Sequence, residues 1–194
     1  KSGTNEFHGS AFGFFRHDNL NANAPALLAD ANPDLFAPGD AIKPPFNRQQ
    51  YGGSIGGPIV KDKAFFFGTY ERTRERGNSI VPSSIFDQIQ LLEPLGYQAV
   101  RFLEQPFNDH QYTIKTDFHP WQNHTFSARF AGQNNDGLND QAGYLVVFTD
   151  NSGGNTTEND LYNLLGSWTW NASSNVLNQF TYQFSDFDNQ IGAT

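Results

Sequence analysis

The feature that most constrains this chain is a period of two. In "QYTIKTDFH" (111–119), Tyr112, Ile114 and Phe118 fall on one side of an extended chain, with Thr113, Lys115 and Asp117 on the other. "HTFSARFAG" (124–132) repeats the pattern, setting Phe126, Ala128, Phe130 and Gly132 against Thr125, Ser127 and Arg129. That period belongs to a strand with two unlike faces; a helix would repeat every three to four residues. The link "PWQN" (120–123) is a proline with polar neighbours, so the two runs predict a hairpin closed by a tight turn.

The same signature recurs along the chain. "LYNLLGSWTW" (161–170) aligns Tyr162, Leu164, Gly166, Trp168 and Trp170, and "LNQFTYQFSDF" (177–187) sets Phe180, Tyr182 and Phe184 against Gln179, Thr181, Gln183 and Ser185. "QYGGSIGGPIV" (50–60) aligns Tyr51, Gly53, Ile55, Gly57 and Ile59, and "AFFFGTYERTR" (64–74) aligns Ala64, Phe66, Gly68 and Tyr70. In the opening stretch, Phe7, Gly9, Ala11, Gly13 and Phe15 alternate with His8, Ser10, Phe12, Phe14 and Arg16, so phenylalanine occupies both rows.

Seven strands of about 9–11 residues result, the length with which a tilted strand crosses a bilayer. Strands of ordinary globular proteins are nearer 5–6 residues. The links alternate too: short at 61–63, 120–123 and 171–176, long at 17–49, 75–110 and 133–160. Short turns at one end and long loops at the other is the layout of outer-membrane barrels. Tyr51, Tyr70, Tyr112 and Tyr162 stand near the long-loop ends of their apolar rows, and Trp168, Trp170 and Phe118 near the short turns. Amphipathic aromatics at both rims are what two membrane interfaces select, although Tyr182 sits mid-strand. The expected fold is therefore all-β: an antiparallel up-and-down transmembrane barrel with long extracellular loops. In that order strands 1 and 7 run parallel, whereas barrels of one bacterial chain close antiparallel with an even count. The seven strands are thus expected to be part of a larger barrel.

Composition agrees and excludes several classes. The net charge of -8 and pI near 4.9 argue against a nucleic-acid binder. In the one basic block, "ERTRER" (71–76), acids interrupt the bases. Cysteine is absent, which removes disulfides, zinc–thiolate sites and cysteine nucleophiles. No window has the roughly 18 apolar residues of a membrane helix. The 19 Phe and 18 Gly, without long apolar runs, suit many short strands.

No catalytic, cofactor or metal site is expected, and no enzymatic role. "GGSIGGPIV" (52–60) lacks the Lys-Ser/Thr ending of a phosphate loop. Its Gly52 and Gly56, on the inner row, are read as places where the strand can bend and another backbone can approach closely. Asp136, Asp140, Asp150, Glu158 and Asp160 crowd the third long loop in no EF-hand spacing, so a solvated loop is preferred to a calcium site. "PSSIFDQIQLLEPLGYQAVRFLEQ" (82–105) has Ser83 or Ser84 as helix N-cap, apolar residues at helical spacing and Pro94 as breaker. It reads as a loop packing its own apolar face, with a lid over the barrel mouth as the alternative. Arg16, Glu71, Lys115, Asp117, Arg129, Thr181 and Gln183 are candidates to face the lumen and touch a plug.

Two segments carry a family resemblance. "KSGTNEFHGSAFGFFRHDNLNA" and "PPFNRQQYGGSIGGPIVKDKAFFFGTYERTR" closely resemble the Oar-like TonB-dependent receptors, which often carry a carboxypeptidase-regulatory-like domain ahead of a plug. The resemblance is specific over 1–22 and 44–76 and looser in the later hairpins. It implies a barrel of about 22 strands, with residues 1–5 closing the plug domain and 6–194 forming the first part of the barrel. It further implies a place in the bacterial outer membrane, in contact with its lipid. The role would be uptake of an unidentified bulky nutrient, driven by TonB–ExbB–ExbD acting on a part N-terminal to this chain. The other classes to weigh are a secreted all-β carbohydrate-binding sandwich and an adhesion or export role.

Overall fold

The structure, a computed structural model, describes residues 3–22, 43–81, 83–140 and 154–193. Seven strands form one sheet in chain order, each antiparallel to the next: β1 (His8–His17), β2 (Asn47–Val60), β3 (Ala64–Ile80), β4 (Phe102–Trp121), β5 (His124–Leu138), β6 (Asn155–Ser173) and β7 (Val176–Ala193). One helix, α1 (Ser83–Gln90), stands in the β3–β4 connection. This is the up-and-down order of a partial β-barrel, with β1 and β7 at the edges of the sheet.

Register places the alternating rows. Residues opposite one another share a face, so one row can be followed from strand to strand. Ile55, Gly68, Ile114, Phe130, Leu164 and Phe184 make one continuous row on one face. Ser54, Thr69, Thr113, Ala131, Asn163 and Ser185 make its neighbour on the other. The apolar face is bare: Ile114 is 56% exposed, Phe180 62% and Phe184 53%. Among the described residues no second sheet covers it, which removes the sandwich, where the Phe126/Phe130 and Phe180/Phe184 rows would be packed. The polar face is concave. One recess there, about 830 Å³ in volume, is lined from β1 to β5 by side chains that include Ser10, Ser54, Phe67, Lys115 and Arg129.

The upper border of the apolar face crosses the sheet obliquely. Toward the long connections the continuous apolar run of each outward row ends at Phe15 on β1, Tyr51 on β2, Tyr70 on β3, Tyr112 on β4, Phe130 on β5, Tyr162 on β6 and Phe184 on β7, and Ile80, Phe102 and Leu138 recur only at the far ends of the ladders. The row of Phe15 meets β7 at Gln190, six residues beyond Phe184. Six residues span about 20 Å and six strand spacings about 29 Å, a slope of about 35°. Outer-membrane barrels tilt their strands by about 35–45°. A border oblique to the rows is level in a membrane when the strands lean by that amount.

Two expectations need correction. The strands are 10–20 residues long, not 9–11, because the ladders continue past the aromatic border. The β3–β4 ladder runs to Ile80–Phe102 and the β5–β6 ladder to Leu138–Thr156, so much of the supposed loops 75–110 and 133–160 is sheet. Both faces are mainly polar in these extensions, with Ile80, Phe102, Leu103 and Leu138 only at their far ends, and periodicity had little contrast to detect. The turns shrink to match: β4 and β5 flank residues 122–123, and β6 and β7 flank residues 174–175.

The helix appears where the sequence put it. Gly96, at φ 96°, ends the short 3₁₀ turn at Glu93–Leu95 in a conformation that favours glycine. Arg101 donates to Ser83 Oγ at 2.8 Å and lies over the Phe86 ring, tying the helix back to its own connection. That contact fits local packing. "GYLVVFT" (143–149) and Asp150 lie outside the described residues.

Candidate functional site

The concave face is built by the second member of each alternating pair. Glu71, Lys115, Asp117, Arg129, Thr181 and Gln183 all fall on it, as does Arg16, whose guanidinium lies 4.9 Å from the Phe46 ring centre. They do not form one cluster. Near the short turns, Asp117 is 8% exposed and accepts from Lys115 Nζ at 2.8 Å and Ser127 Oγ at 2.6 Å. Lys115 stands directly opposite Arg129, and this like-charge pair is relieved on both sides. Lys115 turns to Asp117, while Arg129 donates to Asn163 Oδ1 at 3.0 Å. Glu71 accepts from Gln50 Nε2 at 2.6 Å, higher on the same face.

A second polar belt was missed because it lies in the strand extensions. Asp109, 5% exposed, accepts from Gln111 at 2.7 Å and Gln133 at 2.9 Å. Asn135, Asn159 and Asn189 continue its row across β5, β6 and β7, joined amide to amide. Such ladders add side-chain hydrogen bonds parallel to the backbone ones. The available signal was the asparagine content of "QNNDGL" and "TENDLYN", which places Asn135 and Asn159 on the inner row with few apolar residues beside them.

Backbone does approach the inner glycines closely, but it is that of the neighbouring strand β3. A Cβ on Gly52 would lie 2.5 Å from the Tyr70 carbonyl oxygen and 2.9 Å from the Phe12 ring, and one on Gly56 3.0 Å from the Phe67 ring and 3.1 Å from the Phe66 carbonyl oxygen. The inner Phe12 of β1 shares that space. Close approach by a preceding segment occurs elsewhere. A Cβ on Gly3 would lie 2.3 Å from Phe65 atoms, and Phe65 shares the concave row with Asp117. Asn5 Oδ1 accepts from the Asp62 backbone N–H at 2.9 Å. The stretch before β1 is therefore held against the inner wall and the β2–β3 turn.

On the convex face the aromatics expected at the membrane interfaces occupy two zones. Tyr70, Tyr112 and Tyr162 share one row, with Gly132 between the last two, and Tyr51 stands one row higher. Tyr70 Oη is 2.8 Å from His110 Nδ1, and the Tyr112 ring covers Gly132. At the short-turn end His124, Phe126, Trp168 and Trp170 stack with nearly parallel rings, and Trp168 Nε1 donates to His124 Nδ1 at 3.0 Å. Each zone pairs a large apolar body with a polar tip, as a water–lipid boundary requires.

The acidic residues of the third connection do not converge. Asp136 accepts from Asn108, Asp140 from Asn155 and Thr157, and Asp160 from Asn134. Among the described residues no three metal-ligating side chains gather.

Residues 1–91 match a family model described as an outer membrane beta barrel domain. No curated protein and no solved structure matches the chain. The match covers β1–β3, where the resemblance in wording is also densest, and the same two-faced register continues through β7. A bare aromatic band with a leaning border has one suitable solvent, lipid, and the matched domain supplies the bilayer: the chain forms wall of an outer-membrane β-barrel protein in the bacterial outer membrane.

Proposed function

We propose that this wall belongs to a TonB-dependent transporter that takes up a bulky nutrient, in the manner of the Oar-like receptors that its first two strands resemble. The observation that carries the reading is the seating of Gly3 to Asn5 against Phe65 and Asp62. An open porin has no need of chain packed on its lumen wall just before the first strand. A plug domain entering the barrel from the short-turn end requires it, and a glycine at the contact. The concave belts then have two roles. Lys115, Asp117 and Arg129 lie where a plug would rest, and the amide row of Asn135, Asn159 and Asn189 lies toward the long connections, where ligand would arrive. Neighbouring amides leave donor and acceptor capacity that suits a polar, hydroxyl-rich cargo.

The test uses the full-length protein in cells with and without a functional TonB. Siderophore iron, cobalamin, oligosaccharides and peptides are each supplied as the limiting nutrient. Growth on one of them is expected to need both the protein and TonB; growth on none, or growth indifferent to TonB, overturns the proposal. The plug seating is checked separately. Gly3→Cys with Phe65→Cys places two thiols in a chain that otherwise has none. With a mild thiol oxidant added they are expected to cross-link in intact membranes, and failure to do so removes the observation on which the reading rests.

A further inference from the structure

The proposed uptake leaves the outer wall above the lipid without a role, and the fold sorts the charges there. In "ERTRER" (71–76) the acids turn inward, Glu71 to Gln50 and Glu75 to Arg48 at 3.4 Å, while Arg74 and Arg76 take outward positions of β3. Both arginines are exposed, and no carboxylate of the described residues is within ion-pair distance of either. The opposite charge gathers outward three and four strands away, as Glu158 and Asp160 on β6 and Asp186 and Asp188 on β7. Asp160 stands directly opposite Asp188, a like-charge pair that no cation of the described residues relieves.

The slope of the apolar border gives the positions of both groups. With strands leaning by about 35°, Arg74 and Arg76 stand about 11 and 17 Å above Tyr70 along the membrane normal, in water beyond a headgroup layer of roughly 5–8 Å. Rows climb from β1 to β7, so Asp160 and Asp188 stand about 14 and 17 Å above Tyr70. Around the wall, the arginines lie about 8 and 12 Å to one side of the vertical line through Tyr70, and these carboxylates about 8 and 12 Å to the other. A half-turn about that line exchanges the sides and keeps the heights. It brings Arg76 opposite Asp188 and Arg74 to within about 3 Å of the place opposite Asp160. Below the border the same line runs over Ile55, with Gly9, Gly53 and Gly68 within about 4 Å of it on the convex face. A Cβ on Gly68 would meet nothing nearer than 3.9 Å, and small residues let two surfaces inside a membrane approach each other.

We propose that a second copy of the protein docks on this face, about a two-fold axis along the membrane normal at Tyr70. Arg74 and Arg76 of each copy then face Asp160 and Asp188 of the other, and every pair occurs twice, as an isologous contact requires. The repulsion between Asp160 and Asp188 within one copy becomes a seat for the guanidinium forks of its partner. A wall of about 22 strands curves away from the axis by about 2 Å at Arg74 and about 4 Å at Arg76, which long arginine side chains can bridge. Near the axis the outward side chains are His110, Asn108, Asn134 and Asp136, and Asp136 accepts from Asn108 at 2.8 Å. The contact is independent of what the barrel carries.

Two differently tagged copies of the full-length protein, co-expressed and extracted in mild detergent, test the contact by co-purification and native mass spectrometry. The wild type is expected as a dimer that weakens as salt is added. Arg74→Glu/Arg76→Glu and, separately, Asp160→Arg/Asp188→Arg are each expected to weaken self-association by about tenfold or more. Co-expressed, these two variants are expected to pair with each other, because both halves of the contact are complementary again. That rescue also shows that each variant is folded. The inward Arg48→Gln should leave self-association unchanged. A wild type that is monomeric at every concentration, reversal variants that self-associate undiminished, or a failure of the two variants to pair overturns the proposal. An equal loss in Arg48→Gln overturns it too, as does a different chain held at Arg74 and Arg76 in place of the second copy.

Discussion

Strand β4 between Tyr112 and Phe118 and the same strand between Phe102 and His110 belong to one unbroken ladder, yet they answer to different solvents. Toward the short turn, the outward side chains are Tyr112, Ile114, Thr116 and Phe118, and the inward ones Thr113, Lys115 and Asp117. Past the tyrosine, both faces are mainly polar: His110 and Asn108 outward, Asp109 and Gln111 inward. Backbone pairing is the same in both parts, so the ladder itself does not need an apolar face. Lipid imposes one, only over the depth of the hydrocarbon and only on the convex side. The extension instead joins neighbouring strands through amide–carboxylate and amide–amide contacts, Asn108 with Asp136, Asn134 with Asp160 and Asn159 with Asn135.

That contrast can be broken at its strongest point. Ala128→Arg puts a charge midway between the short-turn aromatics and the upper border on β5 and is expected to destabilise the full-length protein by about 2–4 kcal/mol, measured by denaturant unfolding in lipid vesicles. A loss under about 1 kcal/mol would mean that the convex face does not meet lipid there. Gly132→Leu probes the border. Its Cβ would fall 2.4 Å from the Tyr112 ring, so the tyrosine must leave its place, at an expected cost of about 1–3 kcal/mol in the same assay.

Above the border the effects shrink. Asn159→Ala cuts the amide ladder between Asn135 and Asn189 and is expected to cost about 0.5–1.5 kcal/mol, with faster backbone amide exchange confined to the extensions of β5–β7. Faster exchange reaching the apolar band would show that the two parts are one cooperative unit. Asn134→Arg, six residues along from Ala128 on the same outward row, is the matched control, with an expected change of about 0–1 kcal/mol. A penalty equal to that of Ala128→Arg would place the membrane border above the tyrosines.

How much could be read in advance follows the same boundary. Where one face meets lipid, period two carries a strong contrast, and the seven strands and their rows could be placed from residue types alone. Where both faces meet water, as in "QNNDGL" and "ERGNSI", the alternation persists in the backbone but not in hydropathy, and sheet was mistaken for loop. The glycines of β2 show a second limit. Gly52 and Gly56 were expected to admit the backbone of another domain; the backbone that comes close is that of β3 beside them, with the Phe12 and Phe67 rings sharing the space, and only register shows which.

By itself the order of residues determined which side chains alternate, which links are short and which face each member of a strand shares, because those follow from local geometry. Only the tertiary structure decided who stands opposite whom: that Lys115 meets Arg129, that Asp109 heads an asparagine row, and that the arginines of 72–76 line up outward beyond Tyr70. Pairing across strands is set by hydrogen bonds between residues distant in the chain, and a slip of one residue would exchange the two faces. The slope of the apolar border depends on all six pairings at once.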